Sequence, residues 1–335
     1  MPVNHVIGLR SRRAAPHAAD PRREHARAAR DAVRERRKAG VASLPRAAAV
    51  LELLKPVTWF PPMWAFGCGV VSAGAGSGAG APAWVILCGL ILAGPLVCAM
   101  SQAANDWYDR HVDAVNEPDR PIPSGRIPGS WGFWIAVGWT LACLAMGLVL
   151  GPWGLGATLV ACALAWAYSA PPFRLKAHGL IGPATTGLAY EGLPWITGAA
   201  IVGGATPAAE VWIVAGLYAL GAHGIMTLND FKAVEGDRRF GIRTLPVMLG
   251  PERAAPVACA VMALPQAVVV ALLVAWGSPV AAAVVLGLLG IQLAMMPRLL
   301  ADPVARAPWY NGVGVGPYVG GMMAAAIAIA PAGAA

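Results

Sequence analysis

The sequence predicts an all-α polytopic membrane protein, a bundle of nine transmembrane helices. Three observations predict it. Of 335 residues, 57% are hydrophobic and only 13% are charged, about half the charged share of an ordinary soluble domain. Uncharged runs of membrane-spanning length recur along the chain. The polar connections between those runs alternate in charge.

Apolar segments lie roughly at 56–76, 83–105, 131–150, 153–170, 179–203, 209–229, 254–276, 279–297 and 312–332, each near the ~20 residues a bilayer-crossing helix needs. Open sheets are forbidden in lipid, so the spans must be helical. The connections after the second, fourth, sixth and eighth segments carry Lys and Arg. Among them are Arg110, Arg120, Arg126, Arg174, Lys176, Lys232, Arg238, Arg239, Arg243, Arg253, Arg298 and Arg306. The odd-numbered connections, AGAGSGAGAP, GPWG, GGATPAAE and GSP, carry none. Cytoplasmic loops concentrate positive charge. The N-terminus and all charged loops are therefore expected in the cytoplasm, and the C-terminus on the opposite face. Trp59, Trp84, Trp131, Trp153 and Trp309 sit near segment ends, as interfacial anchors do.

The net charge of +8 belongs to one end. Residues 1–46 hold twelve Lys or Arg and four Asp or Glu, and the rest of the chain holds thirteen of each sign. Asp20 is placed to cap a helix with Pro21 in its first turn, and Gly40 to end it. This basic extension reads as a flexible cytoplasmic tail on an anionic membrane surface rather than a nucleic-acid arm. It has no apolar core of the signal-peptide kind. The transmembrane domain is then 47–335. The six cysteines, Cys68, Cys88, Cys98, Cys143, Cys162 and Cys259, fall in apolar runs without a CxxC pair. They read as small apolar fillers, with no disulfide framework or zinc site.

Two acidic clusters carry the chemistry. The first is Asn105, Asp106, Asp109 and Asp113, followed by Glu117, Asp119 and Arg120. On a continued helix the three aspartates fall at i, i+3 and i+7, on one face. The second is Asn229, Asp230, Glu235 and Asp237, followed by Arg238, Arg239 and Arg243. Both begin Asn-Asp at a segment end, four segments apart, which suggests related halves with matching sites on one side. Facing carboxylates at a membrane boundary repel unless cations lie between them. Hard cations such as Mg²⁺ take oxygen ligands and bridge carboxylates to phosphates. Arg120, Arg174, Lys176 and Arg243 are placed to take the remaining phosphate oxygens. Glu191, inside a span, is a functional-site candidate, with helix packing as its alternative. Gln102 and His223 also lie inside spans, where packing is the simpler reading.

Longer blocks make a resemblance legible. NDWYDRHVD at 105–113 resembles the NDxxDxxxD signature of the intramembrane, UbiA-type prenyltransferase superfamily. NEPDRPIPSG at 116–125, LLKPVTWFPPMWAFGCG at 53–69, YSAPPFRLK at 168–176, LAYEGLPW at 188–195 and NDFKAVEGDRRFGIRTLPVMLG at 229–250 are similar to its chlorophyll and bacteriochlorophyll synthase branch, and most similar to the purple-bacterial form. Residues 1–46 lie outside the resemblance.

The resemblance implies a nine-helix bundle around a cavity that opens sideways to lipid, in a bacterial cytoplasmic or intracytoplasmic photosynthetic membrane. It implies Mg²⁺-dependent transfer of a geranylgeranyl or phytyl group from its diphosphate to the propionate of bacteriochlorophyllide a. Chlorophyllide a, a quinone precursor and haem are the alternative acceptors. A transporter is the non-enzyme alternative; it should show broken helices and charges near midplane, whereas most charges here lie at one rim. Asn105, Asp106, Asp109 and Asp113 match the first motif as metal and diphosphate residues. The second motif often has acids at the positions of 233 and 237, but 233 is Ala, so Asp230 or Glu235 is left to join Asp237. Tyr168 and Lys176 match diphosphate-binding residues, and Asn229 and Lys232 of the second acidic block are further diphosphate-binding candidates. Asp106, Asp109, Asp230 and Asp237 are the expected catalytic core. Glu191, His223 and Gln102 are the weakest candidates, for the pigment pocket, His223 as a ligand to a central metal. The implied partners are the prenyl diphosphate, the pigment, the bilayer and other pigment-biosynthesis or light-harvesting assembly proteins.

Overall fold

The computed structural model describes residues 44–74 and 81–331. The expected helix over the basic tail lies outside these residues. Among them the architecture is all-helical, without a strand; an isolated bridge between His178 and Arg243 is the one β-type pairing.

A short helix α1 (Ala47–Leu54) precedes α2 (Phe60–Ser72), which opens with Pro61 and Pro62 in its first turn. Pro is tolerated there because those N–H groups have no helical partner in any case. Next come α3 (Ala83–Asn116), α4 (Trp131–Val149) and α5 (Gly151–Ser169). A helical run over 181–203, α6, follows, then α7 (Ala209–Asn229) and the short α8 (Val234–Phe240). The chain ends in α9 (Pro251–Ala275), α10 (Pro279–Ala301), α11 (Pro303–Val313) and α12 (Val315–Ala328). Within the described residues, each apolar segment read from the sequence is helical over most of its length. Among the described residues five helices are long and apolar enough to cross a membrane: Ala83–Asn116, Trp131–Val149, Ala209–Phe240, Pro251–Ala275 and Pro279–Ala301.

The structure departs from the sequence reading at segment ends. α3 continues eleven residues past position 105, so the first acidic motif is wholly helical. After Asn229 the chain tightens into a 3₁₀ turn, Asp230–Ala233, before α8. Asp230 and Asp237, seven apart and expected from that spacing to share a helix face, therefore do not share one. The final span is two helices, α11 and α12, broken at Gly314, where an added Cβ would lie 2.8 Å from the Tyr310 ring. Two spans contain π-helical turns, Leu92–Cys98 in α3 and Leu188–Gly192 in α6. Pro95 lies in the first and explains it, since proline has no N–H for the α ladder.

Sequential helices pack on one another, and α12 closes the bundle against α2. Buried side chains form a large cluster over α2, α6, α7 and α9–α12 and smaller ones over α1 and α3–α5. Large apolar residues such as Leu141, Leu148, Leu220, Leu264, Val280 and Leu286 stay on the outside. Water would penalise that surface, but lipid does not. The chain is a multi-pass membrane protein.

Candidate active site

A cavity of about 560 Å³ opens between α3, α5, α6, α7 and the α11–α12 break. Asn105, Tyr168, Lys176, Asn229 and Asp230 form its polar rim. Val57, Pro61, Val97, Leu164, Ala165 and Ile225 line the apolar interior.

The first motif is held by cations. Asp106 is 1% exposed, and its Oδ1 accepts from Lys55 Nζ at 2.7 Å and from Arg120 Nη1 at 3.3 Å. Its Oδ2 is buried without a partner. Arg120 also reaches Asp113 Oδ2 at 3.0 Å and pairs with Glu117. Burial works against the Arg120 charge, but Asp113, Asp106 and Glu117 outweigh it and hold its pKa above the usual value. Asp109 pairs with Lys176 and receives Arg174 Nη2 at 3.5 Å. Asn105 Nδ2 donates to Asp109 Oδ2 at 3.3 Å, and its Oδ1 accepts from Lys176 Nζ at 3.2 Å. Burial pulls the Lys176 ammonium below the ordinary lysine range, against the opposing pull of Asp109.

Lys55 and Arg174 share a backbone feature. They are the two non-glycine residues with positive φ among the described residues, 47° and 42°. Left-handed backbone costs a non-glycine residue on the order of 1 kcal/mol and concentrates at functional sites. Both of these residues put a cation on an aspartate of the first motif.

The second motif closes on the first. Asp237 is buried, accepts from Thr244 Oγ1 at 3.3 Å, and lies close enough to Asp109 and Lys176 to feel both charges. Tyr168 lies in the field of Asp230, Asp109 and Asp237 together. Asn229 Oδ1 accepts from Asn311 Nδ2 at 2.8 Å. Asn116, at the end of α3, touches α8 so closely that a Cβ at Gly236 would sit 2.3 Å from its amide. Among the described residues no three His, Cys, Asp or Glu side chains converge as a complete ligand set. The protein's own lysines and arginines occupy the carboxylates of the first motif.

Several residues singled out in the sequence lie elsewhere. Glu235 points outward, its side chain 67% exposed, with Arg239 Nη2 at 3.0 Å; two helical positions from Asp237, it faces the other way. Lys232 is exposed and 3.8 Å from Glu117. Arg243 is exposed, and its backbone N–H donates to the Ala177 carbonyl at 3.1 Å. Glu191 is buried but outside the cavity wall. Its Oε2 is buried without a hydrogen-bond partner among the described residues. Its neighbour Tyr190 takes the cavity side, and successive helical residues point about 100° apart. His223 faces α6, Nε2 lying 3.1 Å from the Leu180 carbonyl, and is also absent from the wall. Gln102 does line the cavity.

Residues 63–311 match the UbiA prenyltransferase family. The chain belongs to that family. This prenyltransferase is 60% identical, over 86% of its length and 94% of the relative's, to the bacteriochlorophyll synthase 33 kDa chain of Cereibacter sphaeroides. It is 36% identical to the chloroplastic chlorophyll synthase of Oryza sativa, over 83% of this chain and 76% of the other. A UbiA homologue of Archaeoglobus fulgidus, solved bound to GPP and Mg²⁺, superposes with TM-score 0.60 at 23% identity, covering 82% of this chain and 99% of that one; this likeness speaks to the fold.

Sequence reasoning missed three residues of this enzyme's site. Lys55 stood inside the quoted LLKPVTWF block, and a charge just before a span was its signal. Asn311, a lone amide at the head of an apolar segment, gave a similar one. Tyr190 stood inside the LAYEGLPW block, but the acid beside it drew the attention, and its place on the cavity wall belongs to the π-helical turn.

Proposed function

We propose that this enzyme transfers a geranylgeranyl or phytyl group from its diphosphate to the propionate carboxylate of bacteriochlorophyllide a. The cavity is the observation that carries the reading: its rim gathers Asn105, Asn229, Asp230, Tyr168 and Lys176, with Asp109 paired to Lys176 just outside the wall, and the interior below is apolar enough for a prenyl chain. The relative of highest quoted identity supplies the acceptor by its name. Nine spans in a bacterial photosynthetic membrane, with the rim on the cytoplasmic side, complete the arrangement.

The rim fits Mg²⁺. The donors are hard oxygens, and Asp106 Oδ2 is a buried carboxylate oxygen without a partner. Asp230 lies on the wall with no ion pair among the described residues. Asn105, Asp106, Asp109, Asp230 and Asp237 would hold the metal, with Asp113 behind them. When bound, it supplies Lewis-acid assistance to departure of diphosphate.

The chain's own residues do the rest. Lys176, Arg174 and Arg120 already contact the aspartates and offer N–H donors to phosphate oxygens. Tyr168 and Asn229 border the same space. The C1–O bond to diphosphate breaks as the propionate oxygen bonds to C1. The nucleophile is already an anion, so no general base is required. Diphosphate leaves with the electron pair. The apolar wall keeps water from a cation-like C1.

The test is esterification of bacteriochlorophyllide a by purified enzyme with Mg²⁺ and geranylgeranyl diphosphate. Loss of product in Asp106→Ala and Asp109→Ala, with membrane insertion intact, is the expected result. Near-normal turnover by either variant, or no esterified pigment from the parent, overturns the reading.

A further inference from the structure

Below the charged rim, the two π-helical turns meet across the cavity. The turn Leu92–Cys98 ends at Cys98 and leads directly to Ser101 and Gln102; the turn Leu188–Gly192 carries Tyr190. Cys98 Sγ donates to Tyr190 Oη at 3.4 Å, Gln102 Nε2 donates to it at 2.8 Å, and Ser101 Oγ lies 3.3 Å away. All four residues line the cavity. Gln102 lies three residues before Asn105, one helical turn deeper on the same face. A π-helical turn gives up regular hydrogen bonding and is frequent at functional sites; here two of them supply one polar cluster in an apolar wall.

The hydrogen-bond inventory below the rim narrows what the cluster can bind. Thr58 Oγ1 spends its proton on the Lys55 carbonyl, Thr185 on Ile181, Thr186 on Gly182, and Ser101 on Cys98. The Tyr190 oxygen accepts from Gln102, and Cys98 divides its one S–H between that oxygen and the Thr58 carbonyl at 3.3 Å. Ser101 has spent its own proton, so the 3.3 Å contact between the two hydroxyls is donated by Tyr190. Gln102 Nε2 uses one of its two N–H groups. The second Gln102 N–H is unspent, and the Tyr190 O–H is held by a contact to Ser101 Oγ at 3.3 Å, longer than the ordinary O–H···O range of about 2.5–3.0 Å, so both can turn to a ligand in the cavity. Two donors side by side suit a carboxylate, which accepts through both oxygens and is costly to bury bare.

We propose that Gln102 and Tyr190 form a cradle for the acceptor's carboxylate. They hold one oxygen and leave the other directed to C1 of the prenyl diphosphate, one helical turn above. The inference rests on the esterification reading and deepens it by naming the acceptor's subsite. The rim lysines and arginines do not fill this role, because the aspartates and the diphosphate engage them. The cradle explains how an anion is admitted to an apolar cavity without being captured by the rim.

The experiment is a binding titration of the full-length enzyme in nanodiscs, without prenyl diphosphate. It compares bacteriochlorophyllide a with its propionate methyl ester, followed by pigment fluorescence. The parent should prefer the free acid by about tenfold, the worth of one hydrogen bond to a charged group. Gln102→Leu and Tyr190→Phe should each collapse that preference and raise KM for the pigment. KM for geranylgeranyl diphosphate should stay unchanged, a split that a merely structural defect would not produce. If Tyr190→Phe does not fold, Gln102→Leu decides alone. A parent enzyme that esterifies the acid while a variant keeps the full acid-over-ester preference overturns the cradle and leaves the function standing. A parent that forms no ester overturns the function and the cradle with it.

Discussion

Lys55 and Asp106 meet at 2.7 Å, joining the end of α1 to the first motif aspartate across 51 residues of chain. Asp106 is 1% exposed, and Lys55 holds a left-handed backbone to reach it. Removing one partner of such a pair leaves a buried charge. Arg120 remains at 3.3 Å and Lys55 is partly exposed, so Lys55→Met should cost about 1–3 kcal/mol rather than the full amount for a fully buried pair. Thermal unfolding in detergent measures it. Lys55→Arg should restore most of the loss. Adding Asp106→Asn to Lys55→Met should recover stability but not activity, because Asp106 is required in the rim. Recovery of turnover in that double variant would show that Asp106 acts only as a structural partner.

Asn311 ties the broken last span to the second motif. Its Nδ2 donates to Asn229 Oδ1 at 2.8 Å, and its own Oδ1 is buried without a partner at the cavity wall. An amide in that position fixes Asn229 and offers one more oxygen to the rim. Asn311→Leu should raise KM for the prenyl diphosphate about tenfold, the scale of one lost polar contact at a charged ligand. KM for the pigment should hold steady. Steady-state kinetics with each substrate varied in turn separate the two, and an unchanged diphosphate KM would remove Asn311 from the site.

The helices were legible because lipid leaves the backbone no alternative, and the apolar segments marked where they run. Most of the rim was legible for a related reason: Asn105, Asn229 and Asp230 are charged or polar residues at segment ends, where a solvated loop and a site look different once two clusters match. The remainder depended on geometry that spacing does not carry. Glu235 stood beside Asp230 as a candidate to join Asp237, yet two positions apart on α8 Glu235 faces Arg239 at the surface while Asp237 is buried. Glu191 drew attention as the acid inside a span, while the residue beside it, Tyr190, is the one on the cavity wall. Lys55 and Arg174 reach their aspartates through positive φ, a conformation no sequence pattern announces for lysine or arginine.

The Glu52–Arg126 pair gives a pH prediction outside the bilayer. Arg126 Nη2 donates to Glu52 Oε1 at 2.7 Å, linking α1 to the loop that carries Arg120. The Arg126 hydrogen bond holds the Glu52 carboxyl below its usual value. The sign follows. A depressed carboxylate pKa contributes stability that is present above the unfolded-state value and is lost as pH falls through the folded-state value. Glu52→Gln should therefore melt slightly below the parent at neutral pH and converge with it in acid below the ordinary glutamate range. The side chains are 49% and 45% exposed, so the difference should be small and should shrink in high salt. A gap that widens in acid would contradict the assignment.

The crossing of α2 and α6 sets the cavity's shape, because each helix presents a glycine to the other's backbone. A Cβ at Gly69 would lie 2.0 Å from the Trp195 carbonyl oxygen and 2.8 Å from the Ala199 nitrogen; one at Gly198 would lie 2.4 Å from the Phe66 carbonyl oxygen. Small residues let membrane helices approach this closely. Trp195 Nε1 donates to Ser72 Oγ at 3.0 Å beside the crossing and leaves little room to slide. The obstacle is backbone, so rotamer change cannot absorb an added methyl. Gly69→Ala should destabilise the protein by about 1–3 kcal/mol, the usual cost of overpacking. Gly67, on the same helix, has nothing within 4 Å of an added Cβ. Gly67→Ala should therefore be neutral or slightly stabilising through helix propensity. α2 supplies Pro61 and Pro62, and α6 supplies Tyr190, to opposite sides of the cavity, so forcing the helices apart should also lower turnover. Paired melting curves and esterification rates for the two alanine variants test both consequences. Equal stability of Gly69→Ala and Gly67→Ala would mean the crossing is looser than the contacts at Trp195 and Ala199 require.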